Sequence, residues 1–399
     1  MRVKNIIIDV FCSIISSAIP IVILQLVLLP SLSRGMSSEE YGLVIMYLSL
    51  FNIIPSAMGN SLNNVRLVED SHGISNTNYN KLLLTLCFSD IVFVIVFSIL
   101  YSKTNIVAVV FFNVILSVVW LIKEYVLVGF RIRINYLKIL VGNILLSVGY
   151  CIGYGIYCIV GNWVSIYLTG IIICLVYISA NTKWYKESLE TDSKYKYLFG
   201  QTVLLILSSI LCRIPAYADK VVIYPILGGE SVAILYVATL TGKIITMVIS
   251  PISNVILTYV AKLQKRSKSI FGIVLCVSFA LAIIGYGVCV VASQPVIKIL
   301  YPVLYEDVIR YIPITTATVM ITAVISVIDP FILKFYNMKW QIYINGATVA
   351  LYFILVIGLS RFDLMGFCMG NLLSVIIKLV IEILVFYKGK ESFQNNPVY

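Results

Sequence analysis

Charged and chemically reactive side chains are scarce in this sequence. Only 12% of its 399 residues are charged, whereas a soluble globular domain carries about 25%. The only histidine, His72, lies in a polar stretch, and we interpret it as a solvated loop residue. The nine cysteines lie in apolar stretches and never at the CxxC spacing of a metal site, so we interpret them as packing residues. We therefore expect no disulfide, no metal ion and no cofactor.

Long apolar runs take the place of the missing charge. Hydrophobic residues make up 60% of the chain, and the mean hydropathy is +1.01. A helix of about 20 apolar residues crosses the hydrocarbon core of a bilayer, and runs of that length recur from end to end. The sequence predicts an all-α polytopic membrane protein with twelve spans, at 9–32, 42–62, 82–101, 105–122, 139–160, 164–181, 199–219, 232–261, 270–292, 312–333, 342–359 and 364–387.

The basic residues predict the orientation of these spans. Of the 29 lysines and arginines, 20 fall in the segments that are cytoplasmic if the N-terminus is inside, and 6 fall in the outside segments. Because cytoplasmic loops are enriched in lysine and arginine, this bias places both termini in the cytoplasm. The net charge of +11 then reports topology, and we expect no nucleic acid partner.

The polar stretch in the middle of the chain divides the spans into two sets of six. Both sets begin inside, so we predict two six-helix lobes, 1–190 and 191–399, related as parallel repeats. After the fourth span comes "GFRIRINYLKILVGN" and after the tenth comes "KFYNMKWQIYINGA", which share an aromatic residue, basic residues and a glycine that opens the next span. All predicted loops are short, so no soluble domain is available for catalysis, and we expect no enzymatic activity.

Three stretches resemble one known family. "LSRGMSSEEYGLVIMYLSL", "ADKVVIYPILGGESVAILYVATL" and "SRFDLMGFCMGNLLSVII" are similar to the first outside turn, the seventh-to-eighth span junction and the closing span of polysaccharide repeat-unit flippases of the Wzx type. These O-antigen and capsule flippases share the multidrug/oligosaccharidyl-lipid/polysaccharide (MOP) exporter superfamily with drug/cation antiporters and flippases of peptidoglycan precursors. The chain departs from the pattern at Pro225, which interrupts the junction.

The resemblance implies a carrier in the bacterial inner membrane. Such a carrier moves an undecaprenyl-pyrophosphate-linked oligosaccharide from the cytoplasmic to the outer leaflet by alternating access, coupled to a proton or sodium gradient. Its partners would be the surrounding membrane lipids and other polysaccharide assembly proteins, and it would act as a monomer.

Three cations and one acid inside the spans are the candidate site residues. Charges at membrane depth usually face a bundle interior or a watery cavity, and Arg213, Lys243 and Lys378 are placed to meet a pyrophosphate. Alternatively, Lys378 pairs with Glu382 four residues later, and Arg213 pairs with Asp219 or reaches the outer interface.

Asp90, near the middle of the third span, is the candidate for ion coupling. Asp219 and Asp329 lie near span ends, where we expect an interfacial position. Three other functions compete with the flippase. A cation-coupled multidrug antiporter should favour acids over bases in its cavity, a membrane glycan polymerase or ligase should carry a large outside loop, and a scaffold would not explain Lys243.

Overall fold

The computed structural model describes residues 15–70, 79–101, 106–133, 135–186, 194–242, 266–336 and 338–388. Within these ranges the chain is helical and contains no strand. The long helices are α1 (Ile15–Gly35), α2 (Ser38–Asp70), α3 (Tyr79–Tyr101), α4 (Ile106–Val126), α5 (Tyr136–Val160), α6 (Val164–Thr182), α7 (Tyr195–Ala238), α8 (Lys268–Leu300), α9 (Ile312–Phe335), α10 (Met338–Leu359) and α11 (Asp363–Lys388).

The all-helical membrane architecture predicted from composition is confirmed. Ten segments of the described chain are long and apolar enough to cross a membrane, and the last of them, Tyr343–Lys388, contains most of α10 and all of α11. Most predicted spans agree with the helices within a few residues, but α2 continues to Asp70 and α8 to Leu300, beyond the predicted ends at 62 and 292. The predicted spans 199–219 and 232–261 differ because both meet α7, and the predicted positions 9–14 and 243–261 lie outside the described residues.

The predicted outside loop at 220–231 is too long, because α7 is helical through most of it and breaks at one residue. Lys220, assigned to that loop, is buried within α7 and forms an ion pair with the neighbouring Asp219. This pairing compensates both charges locally, so the helix can carry them without ending. The helical conformation breaks only at Gly228, whose φ of 82° and ψ of 175° are open to glycine and costly for other residues.

Helix α3 has one exposed apolar face and one buried face. Its large apolar side chains at four-residue spacing are exposed, with Phe88 at 70%. Its opposite face is buried and carries Asp90. A stripe of exposed apolar residues would be unfavourable in water, but it is the ordinary surface of a helix that faces lipid. The exposed stripe consists of Leu84, Phe88, Val92, Val96 and Leu100.

The chain forms two compact units. The first unit consists of Met1–Gly35 and Met46–Val221, and the second consists of Met36–Ile45 and Val222–Tyr399. Helices α2 and α7 therefore each contribute to both units. The predicted division at residue 190 concerns repeated halves, which this grouping does not test, and it stays a prediction.

Close helix packing in each unit depends on glycine. In the first unit, a Cβ on Gly149 of α5 would lie 2.6 Å from the Cα of Gly170 on α6, and one on Gly153 would lie 2.7 Å from the Cα of Ile166. In the second unit, a Cβ on Gly370 of α11 would lie 2.9 Å from the Leu355 carbonyl oxygen. The GxxxG spacing of Gly149/Gly153 and Gly366/Gly370 predicted such packing, and the prediction is confirmed.

Candidate functional site

Asp90 is fully buried at the middle of α3, in the first unit. The Ser117 hydroxyl, at the middle of α4, donates a hydrogen bond of 2.6 Å to its Oδ2 atom. Its Oδ1 atom is buried and accepts no hydrogen bond from the described residues. Within those residues no lysine or arginine forms an ion pair with it. An ionised Asp90 would therefore carry a charge that no neighbouring cation compensates, which fits a group that exchanges a bound cation or proton.

Arg213 is half-buried on α7, in the same unit, and its hydrogen-bond partners are neutral. Its Nη1 atom donates to the carbonyl oxygen of Asn52 at 2.7 Å and to the hydroxyl of Ser56 at 3.0 Å. Both acceptors belong to α2, on either side of Pro55. The alternative pairing of Arg213 with Asp219 is not formed, because Asp219 pairs with Lys220.

The guanidinium of Arg213 could bind a further acceptor. An arginine has five N–H donors in a planar fork, and the two contacts to α2 use only Nη1. Within the described chain no carboxylate forms an ion pair with this guanidinium. The arrangement suits a phosphate or carboxylate group, which arginine binds with two parallel hydrogen bonds.

Lys378 belongs to a group of ionisable side chains in the second unit. Its Nζ atom lies 3.7 Å from Oε1 of Glu382, one turn along α11, and donates to Oδ1 of Asn345 on α10 at 3.2 Å. The carboxyl group of Asp329, on α9, lies within hydrogen-bonding reach of Glu382 and within electrostatic reach of Lys378. The ion pair that the i,i+4 spacing of Lys378 and Glu382 allowed is thus formed. The predicted role of Lys378 in binding substrate stays a prediction.

Lys243, the remaining predicted cation, lies outside the described residues. In the sequence it directly follows Gly242, the last residue of the described range 194–242. Its role in binding a pyrophosphate stays a prediction.

Two of the stretches that carry the family resemblance meet in the second unit. The Glu39 carboxylate, in the first turn of α2, accepts hydrogen bonds from the backbone N–H groups of Gly229 (2.8 Å) and Glu230 (3.1 Å). These N–H groups begin the helical segment that resumes after Gly228, and a negative charge is favourable at a helix N-terminus. A Cβ on Gly42 would overlap the Gly229 carbonyl group, so the two backbones touch. This contact fixes the position of the break in α7.

Sequence reasoning missed the partners that come from other helices. Asp329 was expected at the interface, whereas the structure places it against Glu382. The sequence does not predict the contacts of Ser117 and Asn345, because a single serine or asparagine in an apolar run is common. Within the described residues, no group of three His, Cys, Asp or Glu side chains is placed to hold a metal ion.

Comparisons with known proteins show the fold. No family model and no curated protein matches the chain. Among solved structures, the lipid II flippase MurJ in its inward closed conformation aligns with a TM-score of 0.74 at 12% identity, over 96% of this chain and 87% of that one. A multidrug resistance MATE family transporter of the MOP superfamily, in its inward-facing conformation, aligns with a TM-score of 0.60 at 14% identity, over 94% and 98%.

The same transporter family also matches in its outward-facing conformation, with a TM-score of 0.60 at 11% identity over 94% of both chains. At these identities the likeness establishes the fold and no more. The chain is a multi-pass membrane protein whose helical fold is similar to that of the MATE transporter and of the lipid II flippase. These neighbours are transporters and a flippase rather than enzymes.

Proposed function

We propose that this protein is a flippase for lipid-linked oligosaccharides. It would move an undecaprenyl-pyrophosphate-linked polysaccharide repeat unit from the cytoplasmic to the outer leaflet of the bacterial inner membrane. One neighbour in fold is by its name a flippase of lipid II, a cargo that like the proposed one is a lipid. The positive-inside bias places both termini in the cytoplasm in this proposal.

The observation that carries the proposal is Arg213. A guanidinium within an apolar helix is costly unless something compensates its charge, and its partners on α2 are a carbonyl oxygen and a hydroxyl group. A pyrophosphate would supply the missing negative charge and accept the remaining donors. Lys243, thirty residues further along the chain, is the second cation that we propose for this role.

Ion coupling in this proposal involves Asp90. Among the described residues Ser117 is the donor to this buried carboxylate, and the net charge of the site changes when a proton or a sodium ion binds or leaves. This change in charge alters the electrostatic energy of the groups around Asp90, which a neutral side chain at the same position would not do. This property supports its proposed role in coupling transport to an ion gradient.

The second candidate function is a cation-coupled multidrug antiporter. The MATE transporters support it through their fold. Three acids of the described membrane helices, Asp90, Asp329 and Glu382, support it as well, because acids attract cationic drugs. The flippase is favoured because Lys378 compensates one of these acids, whereas no carboxylate of the described residues pairs with Arg213.

Reconstitution into liposomes separates the two functions. The purified chain would be tested with a fluorescent undecaprenyl-pyrophosphate-linked saccharide, whose arrival in the outer leaflet is read with a membrane-impermeant quencher, and with ethidium as a cationic drug. We expect flipping of the lipid-linked saccharide. Gradient-driven ethidium transport without flipping would establish the antiporter instead.

Arg213 variants test the observation itself. A charge-assisted hydrogen bond contributes about 1.5–3 kcal/mol, so Arg213→Gln should slow flipping roughly 10- to 150-fold, and Arg213→Lys should retain part of the activity. Arg131→Gln is the matched control, because Arg131 also donates only to neutral acceptors, Asn63 and Asn64, but lies at the end of the short helix Val128–Arg131. Unchanged flipping by Arg213→Gln at normal abundance would remove Arg213 from the mechanism.

A further inference from the structure

Two acids and one base from two helices meet in the second unit. Glu382 is 1% exposed, and one of its oxygens lies 3.7 Å from the Lys378 ammonium, whose side chain is 20% exposed. Its other oxygen, Oε2, is buried and accepts no hydrogen bond from an N–H or from a neutral hydroxyl among the described residues. The Asp329 carboxyl group is within hydrogen-bonding reach of Glu382. We call Asp329, Lys378 and Glu382 the acid–lysine cluster.

Apolar side chains surround the acid–lysine cluster. Helix α9 contributes Ile325, Ile328 and Ile332 to the core of this unit, and α11 contributes Leu379 and Phe386. Helix α8 contributes Phe271, Val274, Leu275 and Ala282 to this core, and the hydroxyl of its buried Ser278 donates to the carbonyl oxygen of Val274. Helix α10 presents the neutral amide of Asn345 to Lys378. Among the described residues, the charges of the cluster are therefore compensated within the cluster.

Arg266 is a charged residue that contacts side chains of this core. Arg266, which precedes α8, donates to the hydroxyl of Tyr336 at 2.7 Å and lies 5.4 Å from the Phe386 ring. Neither of these partners belongs to the acid–lysine cluster. The ammonium of Lys378 is the cation that acts on both Asp329 and Glu382.

The charges of the cluster balance only if it holds one proton. Two ionised carboxylates beside one ammonium would leave a net negative charge in an apolar core, and two neighbouring carboxylates rarely ionise together. One carboxylic acid, one carboxylate and one ammonium sum to zero. A proton between Asp329 and Glu382 would also give Oε2 of Glu382 the hydrogen bond that it otherwise lacks.

We propose that the acid–lysine cluster binds one exchangeable proton, and that the Lys378 ammonium occupies the place that a metal cation would otherwise take. On release, the shared O–H bond breaks, the proton leaves to water, and both oxygens are then carboxylate. Lys378 lies between a carboxylate oxygen and an amide oxygen, the ligand types that a sodium ion would use. The site is therefore specific for a proton and indifferent to sodium.

This inference deepens the proposed function by naming the coupling ion, and it rests on that function only for the link to transport. The binding of the proton is testable without any saccharide. The carbonyl stretch of a protonated carboxyl group is visible in the infrared spectrum of the purified full chain. An Asp90→Asn background removes the fully buried carboxyl group of the first unit from the signal.

In that background we expect one carboxylic-acid band that disappears as the pH rises. Asp329→Asn and Glu382→Gln, both nearly isosteric, should each abolish the band, because the remaining acid then pairs with Lys378 as a carboxylate. Glu306→Gln, at an exposed acid of the short helix Tyr305–Ile309, is the matched control and should keep it. A band that survives in either cluster variant, or no band in the background, would overturn the shared proton.

Sodium provides the second arm of the experiment. Exchange of choline chloride for sodium chloride should leave the band of the Asp90→Asn protein unchanged. Lys378→Gln removes the resident cation, so its band should grow as both carboxyl groups take up protons, and sodium should then reduce it. A sodium effect in the presence of Lys378 as large as that in the variant would overturn the proposed specificity. Failure to flip the saccharide would refute the proposed function and leave these infrared results intact.

Discussion

The candidate site residues of the two units hold their charges differently, although the first unit also contains two ion pairs between sequence neighbours, Lys123–Glu124 and Lys220–Asp219. In the first unit, Asp90 and Arg213 are separate, and their hydrogen-bond partners among the described residues are neutral: Ser117 for the acid, Asn52 and Ser56 for the base. In the second unit, Lys378 lies with Glu382 and Asp329, so charges of opposite sign compensate one another. The same chain thus carries both isolated and compensated charges in apolar surroundings.

This difference separates two reasons for retaining a buried charge. An isolated buried charge costs desolvation free energy, and no ion pair offsets that cost. A hydrophobic or neutral residue at the same position would therefore stabilise the fold as well or better. Its presence is explained by a ligand, an ion or a substrate that compensates it during transport. A compensated cluster contributes to the fold as long as it stays complete, and its removal piece by piece is destabilising.

The largest effect is expected when the compensated cluster loses its cation. Breaking a buried ion pair by removing one partner costs about 3–5 kcal/mol, so Lys378→Met should lower the apparent melting temperature of the purified protein. As the pH falls, both acids take up protons and no longer need the ammonium. The deficit should therefore be larger at mildly alkaline pH than at mildly acidic pH, as measured by fluorescence-detected thermal unfolding.

The control for this prediction is Lys298→Met. Lys298 lies in the last turn of α8, with its ammonium over the ring of Tyr305 at 5.9 Å, and has no carboxylate partner in the described chain. Its replacement should change the melting temperature little at either pH. An equal loss for Lys378→Met at both pH values would mean that the cluster is not compensated by its lysine.

An intermediate effect is expected when the same cluster loses a neutral partner. Asn345→Ala removes the amide oxygen that accepts from Lys378 at 3.2 Å, while the pairing with Glu382 remains. A single hydrogen bond contributes about 0.5–1.5 kcal/mol, and the partly exposed ammonium can bind water instead. The melting temperature should fall by less than in Lys378→Met. A loss as large as that of Lys378→Met would show that Asn345, rather than the acids, holds the lysine.

The sequence predicts the helices of both units well but predicts only one kind of contact between side chains. Contacts along one helix follow from spacing, which is why Lys378 with Glu382 and the glycine pairs of α5 and α11 could be predicted. Contacts between helices depend on rotation and depth, which spacing does not specify. The contacts of Asp329 with Glu382 and of Arg213 with Asn52 could therefore not be predicted from the sequence.

The break in α7 shows the same limit. Two adjacent charges, Asp219 and Lys220, are typical of a loop between spans, and the predicted loop was placed there. Their mutual pairing makes them acceptable within a helix. The glycine pair after Leu227 was the better signal, because only the positive φ at Gly228 lets the chain leave the helical path.

The smallest effect on stability, and the sharpest contrast with the second unit, is expected for Asp90→Asn. Asparagine keeps an oxygen that accepts from the Ser117 hydroxyl, and it removes a charge that no described cation compensates. The free energy of unfolding should therefore change by no more than about 1 kcal/mol, with little change in the melting temperature. Transport per inserted carrier should fall, because the side chain no longer exchanges a proton or an ion. Ser117→Ala, which leaves the acid without its donor, is the matched variant and should destabilise more. If Asp90→Asn protein is missing from the membrane, Asp90 is a folding residue, and the isolated charges of the first unit do not differ in kind from the compensated ones.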